Sequence, residues 1–296
     1  MKKYASDFRA EARAALQNRW GIAILVTLLA GFLGGQSTTP SFGFHIDSSS
    51  EVSLEQVLAM FKANAGDVAA DQLLGALSSL TLVLIPILLG ALALSIVLLL
   101  IGPCIHWGLC RFRLALLDGQ EPSVGMLFSG FKRMFLKALG LNILITLVVL
   151  ATMLAFVIVG AVVVAVVALA LPDVSDTRIE IAFLAVLFGI GAMLAVMVIS
   201  YRYSMSFYAL VDNPNMGAVD AMRESRNMMK GNKWRLFCLQ LSFIGWEILC
   251  VFTCGIGYLW LAPYMGQAEA AFYHDVSRRA AVREAVEGLG EFMQGL

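Results

Sequence analysis

The chain has 296 residues, of which 59% are apolar and 14% charged, and its mean hydropathy is +0.81. Globular domains carry about 25% charged residues, so this composition excludes a soluble globular domain and indicates an integral membrane protein built from helices. The formal net charge is zero, and we expect no nucleic-acid partner.

Residues 1–19 form the first predicted element, a short helix lying in the membrane interface. The segment carries five Lys or Arg residues, and its apolar residues recur at helical spacing: Phe8, Ala12, Ala15 and Leu16. The apolar run 20–35 follows and is predicted to be the first crossing. A secretory signal peptide is the alternative, but the charged lead is long, includes two acidic residues, and no A-x-A site follows the run.

Residues 36–75 are polar and are predicted to form an extracytoplasmic loop, with five acidic residues against one Lys. Within the loop, a capping box and an apolar face predict a short helix over 53–61, resting against the bundle or the membrane surface. The second predicted crossing is 76–101. A Gly-Pro pair at 102–103 is expected to break that helix.

Two long apolar runs, 138–171 and 181–211, are predicted to be the third and fourth crossings. Each exceeds 30 residues, so each helix reaches about 45–50 Å, against a hydrocarbon core of about 30 Å. We therefore expect these helices to be tilted or to protrude from the membrane. The linker 172–180 is short, which predicts an antiparallel hairpin.

The apolar region 236–273 is predicted to cross the membrane twice, with a tight turn at Gly255 and Gly257. The distribution of basic residues decides this, because Lys and Arg collect on the cytoplasmic side. Segments rich in Lys and Arg alternate with segments carrying one each: 1–19 has five, 104–137 five and 202–235 six, whereas 36–75 and 172–180 have one each. Two crossings return the basic tail 274–296 to the side of the N-terminus.

The predicted fold is therefore all-α, a polytopic transmembrane bundle with six membrane helices arranged as three hairpins. Juxtamembrane amphipathic helices accompany it, and residues 1–296 form one integral membrane domain with both termini cytoplasmic. Three residues interrupt the apolar run of the sixth helix: Pro263, Gln267 and Glu269. We therefore expect other helices to shield this helix from lipid.

Each predicted hairpin begins where basic and aromatic residues adjoin. Arg19 and Trp20 open the first, FKRMFLKALG opens the second, and Lys233 and Trp234 open the third. Such residues anchor outgoing helices at the membrane interface, which is the interpretation we favour. A threefold duplication is the alternative.

Three blocks of the chain carry a family resemblance: RAEARAALQNRWGIAILVTLLAGFLGG, LVDNPNMGAVDAMRESRNMMKGNKWRLFCLQLSFIGW and GIGYLWLAPYMGQAEAAFY. Together they resemble the domain-of-unknown-function 975 family of bacterial integral membrane proteins. The resemblance implies a multi-pass protein of the bacterial cytoplasmic membrane and no established activity. The chain departs from the family pattern at Glu247, where apolar residues are typical, and at His106, where a small residue is common.

Glu247 is the first candidate functional residue, because it lies inside the fifth predicted crossing. An ionisable residue there costs about 2.5–3.5 kcal/mol on insertion and is a functional hypothesis by default. Three side chains are possible partners: His106, Arg202 and Gln240. A protonated or interface-facing Glu is the alternative, and we favour it.

Arg202 and Asn142 are the other polar candidates. Arg202 sits among aromatic residues at a helix end, where it binds a lipid phosphate or substrate anion, or anchors the helix at the interface, which is the commoner role. Asn142 shares a face of the third helix with Thr146 and Thr152. That face lines a polar path or, more commonly, makes hydrogen bonds between helices.

The cysteines give no metal or cofactor prediction. There are five, an odd number in or beside apolar runs, which argues against a secreted disulfide framework: Cys104, Cys110, Cys238, Cys250 and Cys254. His106 with its two neighbouring cysteines, or Cys250 with Cys254, is a conceivable metal site. Because no C-x-x-C pair is present, we favour buried thiols.

Residues 215–230 are predicted to form a basic, Met-bearing amphipathic helix. The functional interpretation is a docking surface for a protein partner, because Met-rich faces adapt to their partners. The alternative, which we favour, is an elbow helix lying on anionic membrane lipids.

No catalytic motif is present: the sequence lacks G-x-S-x-G, H-E-x-x-H, P-loop and Rossmann fingerprints, and it has three His residues. We therefore expect no enzyme and no cofactor. The first functional hypothesis is a non-catalytic scaffold, accessory or envelope-homeostasis factor. The second is a small transporter or channel that moves a solute or lipid along a polar path near Glu247.

Overall fold

A computed structural model of the protein describes residues 3–35, 70–131, 134–170 and 177–294. Every regular element in these ranges is helical, which confirms the predicted all-α class. The elements in chain order are α1 (Ala5–Leu16), α2 (Trp20–Phe32), α3 (Ala70–Leu117), a 3-10 helix (Val124–Phe131), α4 (Phe135–Ala170), α5 (Thr177–Tyr203), α6 (Ser206–Asp212), α7 (Ala218–Met228), α8 (Lys233–Leu241), α9 (Ile244–Phe252) and α10 (Tyr258–Gln294).

The chain divides into two compact units, residues 1–42 with 100–296 and residues 43–99. In the second unit the structure describes residues 70–99, which are helical and expose large apolar side chains from Leu82 onward. The predicted short helix at 53–61 lies outside the described residues. All sites discussed below belong to the first unit.

Four helical segments in the described part of the chain are long and apolar enough to cross a membrane: Ile85–Leu117, Phe135–Val167, Phe183–Asp212 and Lys233–Phe252. The third segment combines most of α5 with α6, and the fourth combines α8 with α9. A fifth is added if α1 and α2, which meet at 104°, form one broken span. The 13 residues of α2 cover only about 20 Å at 1.5 Å per residue, less than the hydrocarbon core. The number of crossings supported by length and composition is therefore four or five, and six stays a prediction.

The helix predicted at the N-terminus is present as α1, but its apolar face packs on protein. Phe8, Ala12 and Leu16 are buried, and the rings of Phe8 and Phe272 lie 5.4 Å apart, edge to face. The apolar periodicity of residues 1–19 therefore reflects packing of α1 against α10. A helix face that packs on protein and one that lies on lipid have the same apolar pattern in the sequence.

The helix break predicted at residues 102–103 is wrong, because α3 runs through Gly102 and Pro103 without interruption. Glycine serves close packing here. A Cβ atom on Gly102 would lie 2.5 Å from the carbonyl oxygen of Gly34, and one on Gly108 would lie 2.1 Å from that of Leu127. The glycines thus let the chain after α2 and the 3-10 helix pack directly on α3.

The helices α4 and α5 are antiparallel neighbours, as the short linker predicts. Phe188 packs beside Gly160, and Phe156 packs beside Gly191. The fourth predicted run does not continue as one helix to residue 211, because α5 ends at Tyr203 and α6 begins at Ser206. At this break Ser225 of α7 accepts a hydrogen bond from the Met205 backbone N–H (3.2 Å) and donates one to the Arg202 carbonyl (3.0 Å).

The predicted turn near residues 255–257 is confirmed. Cys254 and Gly255 have φ angles of 50° and 83°, the left-handed conformation that glycine adopts most easily. Beyond the turn, α10 runs antiparallel to α8 and α9, since Phe243 packs edge to face against Tyr264. Arg235 and Asp275 form an ion pair of 2.7 Å at the far end of this pair of segments.

The three basic segments identified in the sequence meet one another in the first unit. Each pair is joined by a side-chain donor and a backbone carbonyl oxygen: Arg19 donates to Gln120 (2.9 Å), Arg235 to Lys3 (3.0 Å) and Lys137 to Pro214 (2.6 Å). Residues of the segments 1–19, 104–137 and 202–235 therefore meet in one region of the fold. That these segments lie on the cytoplasmic side, as the alternation of charge predicts, stays a prediction.

Candidate functional site

A buried polar cluster joins three helices in the interior of the first unit. Its members are Arg113 of α3, Tyr208 of α6, and Gln267 and Glu269 of α10, each less than 9% exposed. Buried polar groups are costly unless they are hydrogen-bonded or paired, so a cluster of this kind is a candidate functional site or a structural connection between helices.

Arg113 is the centre of the cluster. Its Nη1 donates a hydrogen bond to the Tyr208 hydroxyl (3.2 Å) and lies 3.8 Å from Oε2 of Glu269. The Gln267 amide donates to the Arg113 backbone carbonyl (2.9 Å). A Cβ atom on Gly266 would lie 2.3–2.5 Å from the guanidinium, so the absence of a side chain there provides the space that the guanidinium occupies.

A second connection extends from Tyr208 to the end of α6. The rings of Tyr208 and Tyr273 stack with centroids 5.2 Å apart. The Tyr273 hydroxyl donates a 2.6 Å hydrogen bond to Oδ2 of Asp212. The short helix α6 is therefore tied to α10 at two points, by ring stacking and by a hydrogen bond to a carboxylate.

His106, a candidate from the sequence, lies beside the same cluster. It shares one face of α3 with Cys110 and Arg113, and its ring packs edge to face against Phe207, with ring centroids 4.5 Å apart. Its Nε2 lies 3.8 Å from the Cys110 sulfur, and its Nδ1 has no hydrogen-bond partner among the described residues.

The cluster is suited to holding helices together. His106 is 4% exposed and Cys110 is fully buried, so neither the imidazole nor the thiol meets solvent. No group of three or more His, Cys, Asp or Glu side chains among the described residues has a geometry that could hold a metal ion. Two hydrogen bonds and one ion pair connect α3 with α6 and α10.

Glu247 lies on α9 and is 7% exposed. No hydrogen bond or ion pair within the described ranges joins it to its three predicted partners: His106, Arg202 and Gln240. Gln240 instead accepts a 2.5 Å hydrogen bond from the Tyr201 hydroxyl. The structure therefore places Glu247 apart from the buried polar cluster.

Arg202 and Asn142 also lie apart from the cluster. The Arg202 guanidinium is half-buried and 6.0 Å from the centre of the Tyr203 ring. Asn142 is half-buried on α4. Thr152, predicted on the same face, donates to the Val148 carbonyl of its own helix (2.8 Å), so its hydroxyl does not bond a neighbouring helix.

The four predicted interface anchors have different surroundings. Trp234 is 71% exposed and Lys233 is half-buried beside it. Trp20 packs near Tyr264, with ring centroids 6.4 Å apart. Arg19 is occupied by protein, because it donates to the backbone carbonyls at the end of α3. Trp20 and Arg19 thus contact distant parts of the chain, whereas Trp234 packs against Phe237 of its own helix, with ring centroids 5.0 Å apart.

The predicted basic helix at 215–230 is α7, and its buried face packs within the protein. Ala221, Ser225 and Met228 are buried, and Met229 is fully buried just beyond the helix. Arg226 and Lys230 are exposed. The face rich in Met is therefore occupied by the protein's own core, and the surface left for lipid or a partner is the basic one.

Described residues of the first unit line two cavities that bear on function. The larger, of about 1050 Å³, is named here the cationic cavity; its charged lining residues are Lys3, Glu11, Arg19, Asp275, Arg278 and Arg279. The smaller, of about 370 Å³, is the tryptophan groove, lined by Arg13, Trp20, Trp246, Trp260 and apolar residues around them. Glu247 is not a lining residue of either cavity.

Arg113 and its partner Glu269 were not predicted as site residues. The sequence predicts a helix break at 102–103, and Arg113 then counts only as one of the five basic residues in segment 104–137. If the helix is continued, His106, Cys110 and Arg113 fall on one face at intervals of four and three residues. This helical spacing could have identified Arg113 as a site residue, but the Gly-Pro pair at 102–103 predicted that the helix had already ended.

The helices that are long and apolar enough to span a membrane indicate an integral membrane protein whose described part is all-helical. Residues 1–280 match the family described as "Protein of unknown function (DUF975)". The chain belongs to this family, which confirms the resemblance noted in the sequence. No curated protein and no solved structure matches the chain.

Proposed function

We propose that this protein is a non-catalytic membrane protein that acts as a scaffold, accessory or envelope-homeostasis factor. The observation that carries the proposal is a contrast in where polar and apolar groups lie. Arg113, Tyr208, Gln267 and Glu269 are buried and are joined across α3, α6 and α10 by hydrogen bonds and an ion pair, whereas the long helices direct apolar side chains outward. Such a protein offers surfaces for lipid and membrane partners.

The exposed apolar surface is extensive on α4 and α5. The two helices contact each other along one narrow face of each helix. Large apolar side chains on their other faces are exposed, among them Leu147 (61%), Leu154 (57%) and Phe183 (69%). In a bilayer these faces meet lipid or the apolar helices of another protein, since association within membranes relies on packing between helices. This supports a role in assembly.

The proposal includes six crossings as three hairpins, with both termini cytoplasmic in a bacterial plasma membrane. Support for the third hairpin comes from the ion pair of Arg235 with Asp275. Equal lengths of chain separate these residues from the turn, about 27 Å on each side at 1.5 Å per residue. That length approaches the thickness of the hydrocarbon core.

The non-catalytic part of the proposal is supported by the burial of His106 and Cys110, which lie beside the buried polar cluster. The alternative function, a transporter or channel, needs a polar path that reaches Glu247. Glu247 lines neither of the two cavities, and the residues lining the tryptophan groove are mainly apolar. The geometry therefore favours the scaffold over the transporter.

Proteoliposomes test the proposal directly. Purified protein is reconstituted and assayed with a panel of ions, amino acids and a fluorescent lipid, beside protein-free liposomes and a Glu247→Gln variant. We expect solute flux and lipid movement equal to the protein-free control in both cases. Flux that depends on the wild-type protein and is lost in Glu247→Gln would establish the transporter instead.

A second measurement tests the scaffold role itself. A photo-crosslinking amino acid at exposed Leu154 of α4 is expected to give discrete protein adducts in cells. The same amino acid at Ala138, which is fully buried on the same helix, provides the control. Adducts with lipid alone at Leu154 would contradict a protein scaffold.

A further inference from the structure

The cationic cavity carries more positive charge than its own carboxylates neutralise. Four cationic side chains line it, with two carboxylates among them. Glu11 pairs with Lys3 at 2.5 Å. Asp275 is held by Arg235 at 2.7 Å and by Arg279 at 3.1 Å.

Arg278 and Arg19 supply the excess charge. Arg278 is exposed, and no carboxylate among the described side chains pairs with it. Arg19 donates to the carbonyl oxygens of Gly119 (3.5 Å) and Gln120 (2.9 Å), which are neutral acceptors. His274 adds an exposed imidazole to the same lining. Guanidinium groups bind phosphate oxygens in pairs, so this chemistry selects a phosphate-bearing anion.

The remaining lining is apolar, which adds a second requirement. Leu116 and Leu117 at the end of α3, and Val282 of α10, face the same space. Arg19 directly precedes α2, a helix that exposes Leu25 and Phe32. The cavity thus opens where a basic segment gives way to an apolar helix, the position at which lipid headgroups lie.

We propose that the cationic cavity binds the phosphate group of an anionic phospholipid, with Arg278 and Arg19 contacting the phosphate and the apolar wall contacting the lipid's glycerol and upper acyl region. The site depends on neither the scaffold nor the transporter hypothesis. It differs from the basic face of α7, which contributes no residue to the cavity.

The test uses the full-length protein in a neutral detergent and three probes: dihexanoyl phosphatidylglycerol, dihexanoyl phosphatidylcholine and inorganic phosphate. Binding is measured by the rise in thermal unfolding temperature with probe concentration. We expect phosphatidylglycerol to bind most tightly, and Arg278→Gln to weaken it by about tenfold or more, as expected for loss of a charge-assisted hydrogen bond.

Two further variants keep the test decisive. Ala14→Glu places a carboxylate on an exposed lining position of α1 and is expected to weaken binding as Arg278→Gln does. Arg226→Gln removes the same charge from an exposed position of α7 and is expected to bind as wild type. An equal loss in Arg226→Gln, equal binding of phosphatidylcholine, or equally tight binding of inorganic phosphate would each overturn the proposal.

Discussion

Arg113 places a permanent positive charge in the protein interior, and its neighbours are arranged to tolerate it. Glu269 supplies the opposing charge, Tyr208 accepts a hydrogen bond, and Gly266 leaves the space for the guanidinium. Removing one member of a buried pair is costly, because the remaining charge loses its compensation. Removing one member of this pair is therefore expected to destabilise the protein more than breaking an exposed ion pair does.

Glu269→Ala should destabilise the protein by about 3–5 kcal/mol, because it leaves Arg113 buried without its carboxylate. Asp220→Ala is the matched control, since it removes a carboxylate that pairs with Arg223 at 3.4 Å while more than half exposed; its cost should be about 0–1 kcal/mol. The measurement is unfolding of the purified protein by denaturing detergent.

The double variant Arg113→Met with Glu269→Leu should recover much of that loss, since apolar side chains of similar volume often replace a buried ion pair. Equal destabilisation by Glu269→Ala and Asp220→Ala would show that the buried pair has no special role.

The helix α3 shows how glycine determines packing between elements. Its Gly108 lies against the Leu127 carbonyl of the 3-10 helix, so a Cβ atom has no space there. Its Gly90 has nothing within 4 Å of the position that a Cβ would occupy. The two glycines have the same secondary structure, and only their neighbours differ.

Gly108→Ala should cost about 1–3 kcal/mol, because the added methyl group forces the 3-10 helix away from α3. Gly90→Ala should be neutral or stabilising by about 0.5–1 kcal/mol, since alanine favours a helix over glycine. Thermal unfolding of the two variants beside wild type gives the comparison. A loss of stability in Gly90→Ala as large as that in Gly108→Ala would contradict the assignment of the Gly108→Ala cost to the contact with the Leu127 carbonyl.

The arrangement proposed for the chain across the bilayer agrees with contacts among its basic segments. Segments 1–19, 104–137 and 202–235 are joined pairwise by hydrogen bonds, and Asp275 joins Arg235 near the tail. Such contacts are expected if these segments lie on the same side of the membrane, as the six proposed crossings require. An odd number of crossings places the tail on the other side.

Cysteine labelling in a cysteine-free background tests this arrangement. We expect Gln120→Cys and Arg278→Cys to react with a membrane-impermeant maleimide from the same side of sealed vesicles, and Thr39→Cys to react from the opposite side. Reaction of Arg278→Cys together with Thr39→Cys would replace six crossings by five.

The sequence by itself determined the membrane class, the family, the helical composition, the turn near Gly255 and the grouping of basic segments. These depend on local composition, on apolar run length and on φ preferences, all of which neighbouring residues specify. It also identified His106, but as a partner for Glu247.

Only the tertiary structure decided which buried polar groups meet. Arg113 and Glu269 are separated by most of the chain, and their pairing depends on α3 continuing through Pro103, which local rules disfavour. Likewise, an apolar stripe on α1 or α7 has the same pattern whether lipid or protein covers it. The structure distinguishes the two because burial is a property of the neighbours that an element acquires on folding.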